Sequence, residues 1–429
     1  MTQELRRTNA ADTQWFTRDR FGMFIHWGIY ALPARHEWVK QRERIRDEHY
    51  QLYFDHFYPD LYDPRAWARE AKKAGMRYFV VTTKHHDGFC LWDSDLTDYK
   101  VTNTPWGEDL IAPMVEAFRA EGMKVGFYHS LLDWHHPEFP VDGLHPMRDD
   151  QDYNEANRDR DIARYREYLH GQTRELLTWF GKIDIMWFDF SYPDRTWSGK
   201  GKEDWGSEDL MQMVRELQPG IIVNDRLEIG GDLVTPEQYQ PRSWPERDGR
   251  PIMWEACQTL NGSWGYDRDN LDWKTTDMLV HMLVDTVSKG GNMLLNVGPN
   301  ARGELEPKAV ERLRGVGEWM RLHERSIRGC TASSFNPPPD CRYTQNEDRL
   351  YLHLFGWPFK HVHLEGLADR VGYAQLLNDA SEVRMFAVDP NQRAQNTTMG
   401  GIPPGTLTLD LPVTRPPVEV PVVELFLTE

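Results

Sequence analysis

Short apolar runs alternate along this chain with longer stretches whose apolar positions recur every three to four residues. The runs are 21–27 (FGMFIHW), 77–83 (RYFVVTT), 124–130 (KVGFYHS), 183–190 (IDIMWFDF), 220–224 (GIIVN), 252–256 (IMWEA) and 292–297 (NMLLNV). Runs apolar on both faces predict strands buried on both sides, as in a parallel sheet. The intervening stretches predict helices over 63–75, 109–122, 154–180 and 304–324. The first opens on Asp-Pro and stops at Gly75, and the last opens on Glu-Pro. Strand–helix alternation of this length predicts a TIM-type (β/α)8-like barrel, regular or irregular, rather than an open sheet.

The pattern changes after Arg328. Asn336-Pro337-Pro338-Pro339 interrupts the chain, and short alternating segments follow at 350–355, 361–364, 383–388, 407–411 and 418–427. These predict a β-sandwich. The expected organisation is a catalytic barrel over 1–335 and a C-terminal sandwich over 336–429.

A parallel barrel presents its chemistry at the carboxyl ends of its strands. In the fourth run, Ile183, Ile185, Trp187 and Asp189 share a face, so a carboxylate ends an apolar interior row. From position alone, Asp189 is equally a cap for the next loop. The first and second runs end in His26 and in the pair His85-His86. Converging neutral imidazoles suit sugar hydroxyls. A metal is the weaker reading, because adjacent histidines in extended chain diverge and neither HxH nor HExxH occurs. Arg226, after the fifth run, can hold a substrate hydroxyl or keep Asp189 ionised, and a purely structural Arg–Asp pair fits the sequence equally well. Beyond it, a carboxylate on the loop Gly231-Asp232-Leu233-Val234-Thr235-Pro236-Glu237 can reach across the barrel mouth toward Asp189. Glycoside hydrolysis needs two facing carboxylates, one ionised and one protonated.

Composition narrows the partners. A net charge of −17 disfavours nucleic acid and anionic membranes. Seventeen Trp suit either a large core or a carbohydrate site, since sugar C–H faces stack on indoles. The four cysteines form no CxxC pair, which argues against a zinc or redox motif and for reduced thiols. Residues 1–20 are polar, without a visible signal peptide, and no long apolar run occurs, so a cytoplasmic location is expected.

The blocks FGMFIHWG (21–28), HEW (36–38), TKHHDGFCLWDS (83–94), GFYHS (126–130), WFD (187–189), NDR (224–226), WEACQTLNGSWGY (254–266) and GGNMLLNVGP (290–299) resemble, in this order, the glycoside hydrolase family 29 α-L-fucosidases. The resemblance spans roughly residues 14 to 330, and the trailing sandwich is similar to that family's second domain. It implies an exo-acting enzyme that removes terminal α-L-fucose with retention, by double displacement, without metal or cofactor. Asp189 matches the nucleophile and Glu237 the acid/base, with Glu228, Glu255 and Glu37 as alternatives to Glu237. His26, Glu37, Trp38, His85, His86, Tyr128, Trp187 and Arg226 match residues around the sugar. Trp264 matches an aromatic against the methyl group of fucose. The implied partner is a fucosylated oligosaccharide or glycoconjugate; a homo-oligomer and the linkage preference are left open. His129 and the loop 134–140 depart from the family pattern and are expected on the leaving-group side. The competing readings are a glycosidase for another L-sugar such as α-L-galactose, a non-catalytic carbohydrate-binding protein on the same fold, and a metal-dependent hydrolase using the three histidines.

Overall fold

The computed structural model describes residues 11–387, 393–394, 397–398 and 403–428. Seven strands, β1 (Phe21–Ile25), β2 (Tyr78–Lys84), β3 (Lys124–Ser130), β4 (Ile185–Asp189), β5 (Ile222–Val223), β6 (Glu255–Thr259) and β7 (Asn292–Val297), form one parallel sheet in the order β5-β4-β3-β2-β1-β7-β6. The sheet curls, and the segment 232–237 fills the gap between its edges. Leu233 bridges to Asn224 beyond β5, while Val234 and Glu237 bridge to Trp254 and Cys257 on the β6 side, all parallel. This segment is an eighth stave without a regular ladder, so the barrel is of the irregular (β/α)8 kind.

The barrel interior is filled by alternate residues of the strands. Phe24, Tyr78, Val80, Tyr128, Ile185, Trp187, Ile222, Leu233, Cys257 and Leu294 form one cluster, closed from below by Trp15 and Phe16 of the first described helix, α1 (Gln14–Asp19). Their neighbours Phe79, Val81, Phe127, Met186 and Phe188 pack outward against the helices. Only glycine fits at position 22, where a Cβ would lie 2.4 Å from the Tyr78 ring.

The helices begin where side chains satisfy their first amides. Asp63 accepts from Ala66 N–H at 2.9 Å and starts α2 (Pro64–Lys73), which ends before Gly75 at φ +88°. Asp109 accepts from the amides of Ile111 and Ala112 and starts α3 (Ile111–Ala120). The stretch 154–180, expected as one helix, is divided. A short helix ends at Ala156, and α4 (Ile162–Trp179) starts anew at Asp161, whose carboxylate caps Ala163 N–H at 2.8 Å. The sixth strand also differs from its expected position. Ile252 leaves the barrel to bond Pro245, so pairing with β7 begins only at Glu255 and continues through the more polar Cys257-Gln258-Thr259.

After α5 (Pro307–His323) the described chain forms two larger antiparallel sheets and a two-stranded one, Arg393–Ala394 with Thr397–Thr398. Thr331–Ala332, Cys341–Asn346, Arg349–Leu354, Val422–Leu427 and Val371–Leu376 make a five-stranded sheet; His361–Leu364, Leu407–Asp410 and Arg384–Ala387 make a three-stranded one. Leu350, Leu352, Leu364, Leu409, Val423 and Leu425 join in one core between them. Of the expected segment 383–388, Val388 lies outside the described residues. Cys341–Asn346 and Val371–Leu376 escaped the sequence reading because polar residues and Gly372 break their alternation. Trp319 Nε1 donates to Val420 O at 2.9 Å, and Arg342 bonds Asp285 at 2.7 Å, which docks the sandwich on the barrel helices. All four cysteines are buried and unpaired. No helix among the described residues is long and apolar enough to cross a membrane.

Candidate active site

Asp189 is the last residue of β4, above Ile185 and Trp187 in the interior row; Ile183 precedes the strand and packs outward instead. Its carboxylate is almost fully buried and held from two sides. Tyr128 OH donates to Oδ2 at 2.7 Å, and Arg226 Nη1 donates to Oδ1 at 3.0 Å. His86 Nε2 stands 3.8 Å from Oδ2. Phe190 follows at φ +76°, a conformation costly for an aromatic residue. That turn sends the chain away and leaves the carboxylate facing the mouth. Burial pushes the Asp189 carboxyl up to about 6, against the lowering by Arg226; Glu237 adds to the rise and Tyr128 opposes it.

Glu237 comes from the end of the eighth stave and is more exposed. Its Oε2 accepts from Arg226 Nη2 at 3.0 Å, so one guanidinium joins both carboxylates. Arg226 is itself fixed: Nε donates to Thr235 Oγ1 at 2.9 Å, and Thr235 Oγ1 donates to Asp225 at 3.0 Å. Its guanidinium lies 5.0 Å from the centre of the Trp187 ring. Burial opposes its charge, but the facing carboxylates keep it protonated.

The histidines are neutral and their tautomers can be assigned from their partners. Burial holds His26 down at about 4 and His86 at about 3, and it holds His85 far below the ordinary imidazole value. Ser130 Oγ gives its one proton to Leu132 O, so it accepts from His86 Nδ1 at 2.6 Å. His86 Nε2 is therefore an acceptor turned toward Asp189. Asn296 Nδ2 donates to Trp264 O at 2.6 Å, which turns its Oδ1 to His26 Nδ1 at 2.7 Å and leaves Nε2 of His26 as an acceptor. His85 stacks on Tyr128 at 5.6 Å, and its Nδ1 is buried without a partner. The adjacent histidines do not diverge as expected. The strand ends at Lys84, the chain turns, and the two rings sit 4.0 Å apart on the same side.

Glu37 and Trp38 enter from the loop after β1. Burial raises the Glu37 carboxyl, but His36 and the Gly265 amide, which donates to it at 2.7 Å, together bring it down to about 2. It is thus a buried anion. Trp38 packs 5.0 Å from His86, 5.2 Å from Trp134 and 5.2 Å from Phe190. The Trp264 ring lies 5.1 Å from His26. All eleven residues singled out in the sequence thus stand at one end of the barrel. Among the described residues, no group of three or more His, Cys, Asp or Glu side chains is placed to hold a metal ion.

Asn296 and Ser130 are part of the site and were not singled out, and Trp134, whose loop was expected on the leaving-group side, packs against Trp38 and His86 instead. Asn296 was visible as a polar residue on the interior row Asn292, Leu294, Asn296; Ser130 carried no signal. Of the alternatives to Glu237, Glu228 lies outside the mouth and accepts from Lys202 N–H. Glu255 lies beneath the site, accepting from Tyr78 OH at 2.6 Å and from Trp187 Nε1 at 3.3 Å. His129 does not reach the leaving-group side. Its place on β3 points it outward, where it meets Thr83 Oγ1 at 3.1 Å and the Trp92 ring. The loop 134–140 acts as a buttress. Trp134 N–H donates to His86 O at 2.8 Å, and Asp133 below it pairs with buried Lys84 at 2.9 Å.

Known proteins share this fold. Residues 2–325 match the family model described as Alpha-L-fucosidase. The structure of alpha-L-fucosidase isoenzyme 1 from Paenibacillus thiaminolyticus superposes with a TM-score of 0.91 at 47% identity, covering 99% of this chain and 100% of that one. An alpha-L-fucosidase from Bacteroides thetaiotaomicron, solved as a trapped covalent intermediate with 2-fluoro-fucosyl fluoride, gives 0.82 at 27% identity over 96% and 95% of the two chains. The tissue alpha-L-fucosidase of Bos taurus is 29% identical over 80% of this chain and 75% of its own length. The strand-end carboxylate, its arginine and the ring of neutral histidines are thus found in a chain that belongs to the α-L-fucosidase family, glycoside hydrolase family 29.

Proposed function

We propose that this fucosidase works by double displacement with Asp189 as nucleophile and Glu237 as acid/base. The observation that carries the assignment is the shared arginine: one guanidinium holds two carboxylates at the carboxyl end of the barrel, the more buried of them also gripped by Tyr128. An Asp189 oxygen attacks the anomeric carbon as the bond to the leaving oxygen breaks, and that oxygen takes the proton of Glu237. Water then adds to the anomeric carbon, gives its proton to Glu237 and breaks the ester to Asp189. Two inversions return the original configuration. The covalent intermediate trapped in the Bacteroides thetaiotaomicron relative supports such an ester.

The pocket around Asp189 suits a terminal, uncharged 6-deoxy sugar. His26, His85 and His86 remain neutral over the working pH range, and the acceptor nitrogens of His26 and His86 can accept hydrogen bonds from ring hydroxyls. Trp264, beside His26, offers an apolar face for the methyl group. Buried Glu37 supplies a fixed negative acceptor. A fucosylated oligosaccharide or glycoconjugate is the substrate class this favours.

The deciding experiment is release of 4-nitrophenol from 4-nitrophenyl α-L-fucoside by the wild type and by Asp189→Ala, each with a chelator present. The expected result is turnover in the wild type only. Turnover by the variant at the wild-type rate would reject Asp189, and loss of wild-type turnover on chelation would reject a metal-free route.

A further inference from the structure

Directly outside Glu237 lies a second concave region of about 540 Å³, lined by Arg226, Thr235, Glu237, Tyr239, Arg242 and Ser243 among others. Its most prominent feature is Tyr239, whose side chain belongs to a residue 60% exposed although it is large and aromatic. Exposed aromatics on loose loops carry little meaning, but this one stands on an anchored frame. Gln238, at φ +59°, donates its amide to Cys257 O at 3.1 Å and its side chain to Thr259 Oγ1 at 2.9 Å. The Tyr239 carbonyl accepts from Gln258 Nε2 at 3.2 Å. Gln240 accepts from Thr286 at 3.1 Å, and Pro241 O accepts from Lys289 Nζ at 2.8 Å. The backbone on both sides of Tyr239 is thus fixed to β6 and to the helix Thr276–Val287, while the ring remains uncovered.

We infer that Tyr239 is the platform of a leaving-group subsite, which binds the sugar residue that carries the fucose by stacking against its C–H face. The inference rests on the assignment of Glu237 as acid/base. The leaving oxygen must then lie against Glu237, and the sugar attached to it can extend into the concave region that Glu237 lines together with Tyr239, Arg242 and Ser243. A flat, rigidly held aromatic with an uncovered face suits a neutral pyranose, whose hydroxyls stay in water while its apolar face is covered. Arg242 and Ser243 line the same region and can donate to those hydroxyls.

The test compares two substrates. α-L-Fucosyl fluoride has a single atom as leaving group and cannot use the subsite. The second substrate is whichever of the α1,2-, α1,3-, α1,4- and α1,6-linked fucosyl disaccharides the wild type cleaves fastest. Tyr239→Ala is expected to lower the ratio of kcat/KM for disaccharide to kcat/KM for fluoride by about tenfold, mainly through KM of the disaccharide. Tyr239→Trp is expected to keep that ratio near the wild-type value. A ratio unchanged in Tyr239→Ala, or equal losses on both substrates, would overturn the subsite. Glu237→Ala measured in parallel separates the two readings. If it leaves disaccharide turnover intact while Tyr239→Ala changes the ratio, the acid/base assignment fails and the subsite stands; in the reverse case only the subsite fails.

Discussion

Asp189 and Glu237 grip different nitrogens of the same guanidinium, Arg226 Nη1 and Nη2, at 3.0 Å each. The two carboxylates therefore cannot be positioned independently. The planar fork fixes their directions as well as their separation, which a lysine would not do. Trp187 beneath the guanidinium and Thr235 beside it keep the fork from swinging.

Asp189→Ala is expected to retain its fold and lose at least about a thousandfold in kcat, because the variant has no atom to form the ester. Circular dichroism and 4-nitrophenyl α-L-fucoside kinetics check both halves. A loss below tenfold would place the nucleophile elsewhere.

The rate should follow the ionisation of Asp189. Burial sets its carboxyl at about 6, and only the anion attacks, so kcat/KM should climb with pH through about 6. Arg226 stabilises the anion. Arg226→Met removes that stabilisation and should move the acidic limb to higher pH while lowering the plateau. A limb that stays in place, or moves to lower pH, would contradict Arg226 as the group that keeps Asp189 ionised.

Glu237→Ala should discriminate between leaving groups. A nitrophenolate departs with little help, whereas a sugar alkoxide needs a proton, and general acid catalysis contributes about 10²–10⁴-fold. The disaccharide rate is expected to fall by about that factor and the aryl fucoside rate far less. Equal losses would point to a structural role.

Glu255 predicts a stability effect rather than a catalytic proton. Fully buried beneath Trp187, it has its carboxyl pushed by burial from 4.5 to about 7, against the hydrogen bonds from Tyr78 and Trp187. The folded state then holds its proton more tightly than the unfolded chain does. That contribution is fully present below 4.5 and lost as pH rises through about 7, a change of about 3 kcal/mol. Glu255→Gln cannot ionise and should gain on the wild type by about that amount between pH 5 and pH 8. Urea unfolding at the two pH values measures this; parallel curves would mean that Glu255 is ionised in the fold throughout.

The position of Asp189 was legible because two independent patterns met at it. An interior row of period two ran Ile185, Trp187, Asp189, and the barrel rule placed its last member at the mouth. The helix starts at Asp63 and Asp109 were legible for a similar reason, since capping is a local interaction. The eighth stave was not. Gly231-Asp232-Leu233-Val234-Thr235-Pro236 has few apolar residues and a proline, and it is held by isolated bridges whose partners are distant in sequence. The position of Glu237 was therefore reached through resemblance and not through periodicity. His129 was misplaced because its block was read as a motif, although alternation along β3 already put it opposite Tyr128. The turn that brings His85 and His86 together depends on where β2 ends, and strand ends are set by tertiary pairing.

The two carboxylates stand on parts of the barrel that differ in how they tolerate change. Asp189 ends a strand laddered on both edges, where inserting or deleting one residue would shift an entire register. Glu237 ends a stave fastened at single points, and the stretch that follows runs on to Tyr239 and Arg242 before the barrel resumes at Glu255. Residues 232–245 thus lie outside the regular ladder and are tied to the barrel by bridges and by bonds to β6 and the helix Thr276–Val287. The proposed proton donor and the proposed surface for the departing sugar therefore travel together on one segment, apart from the strands that carry Asp189 and the histidines.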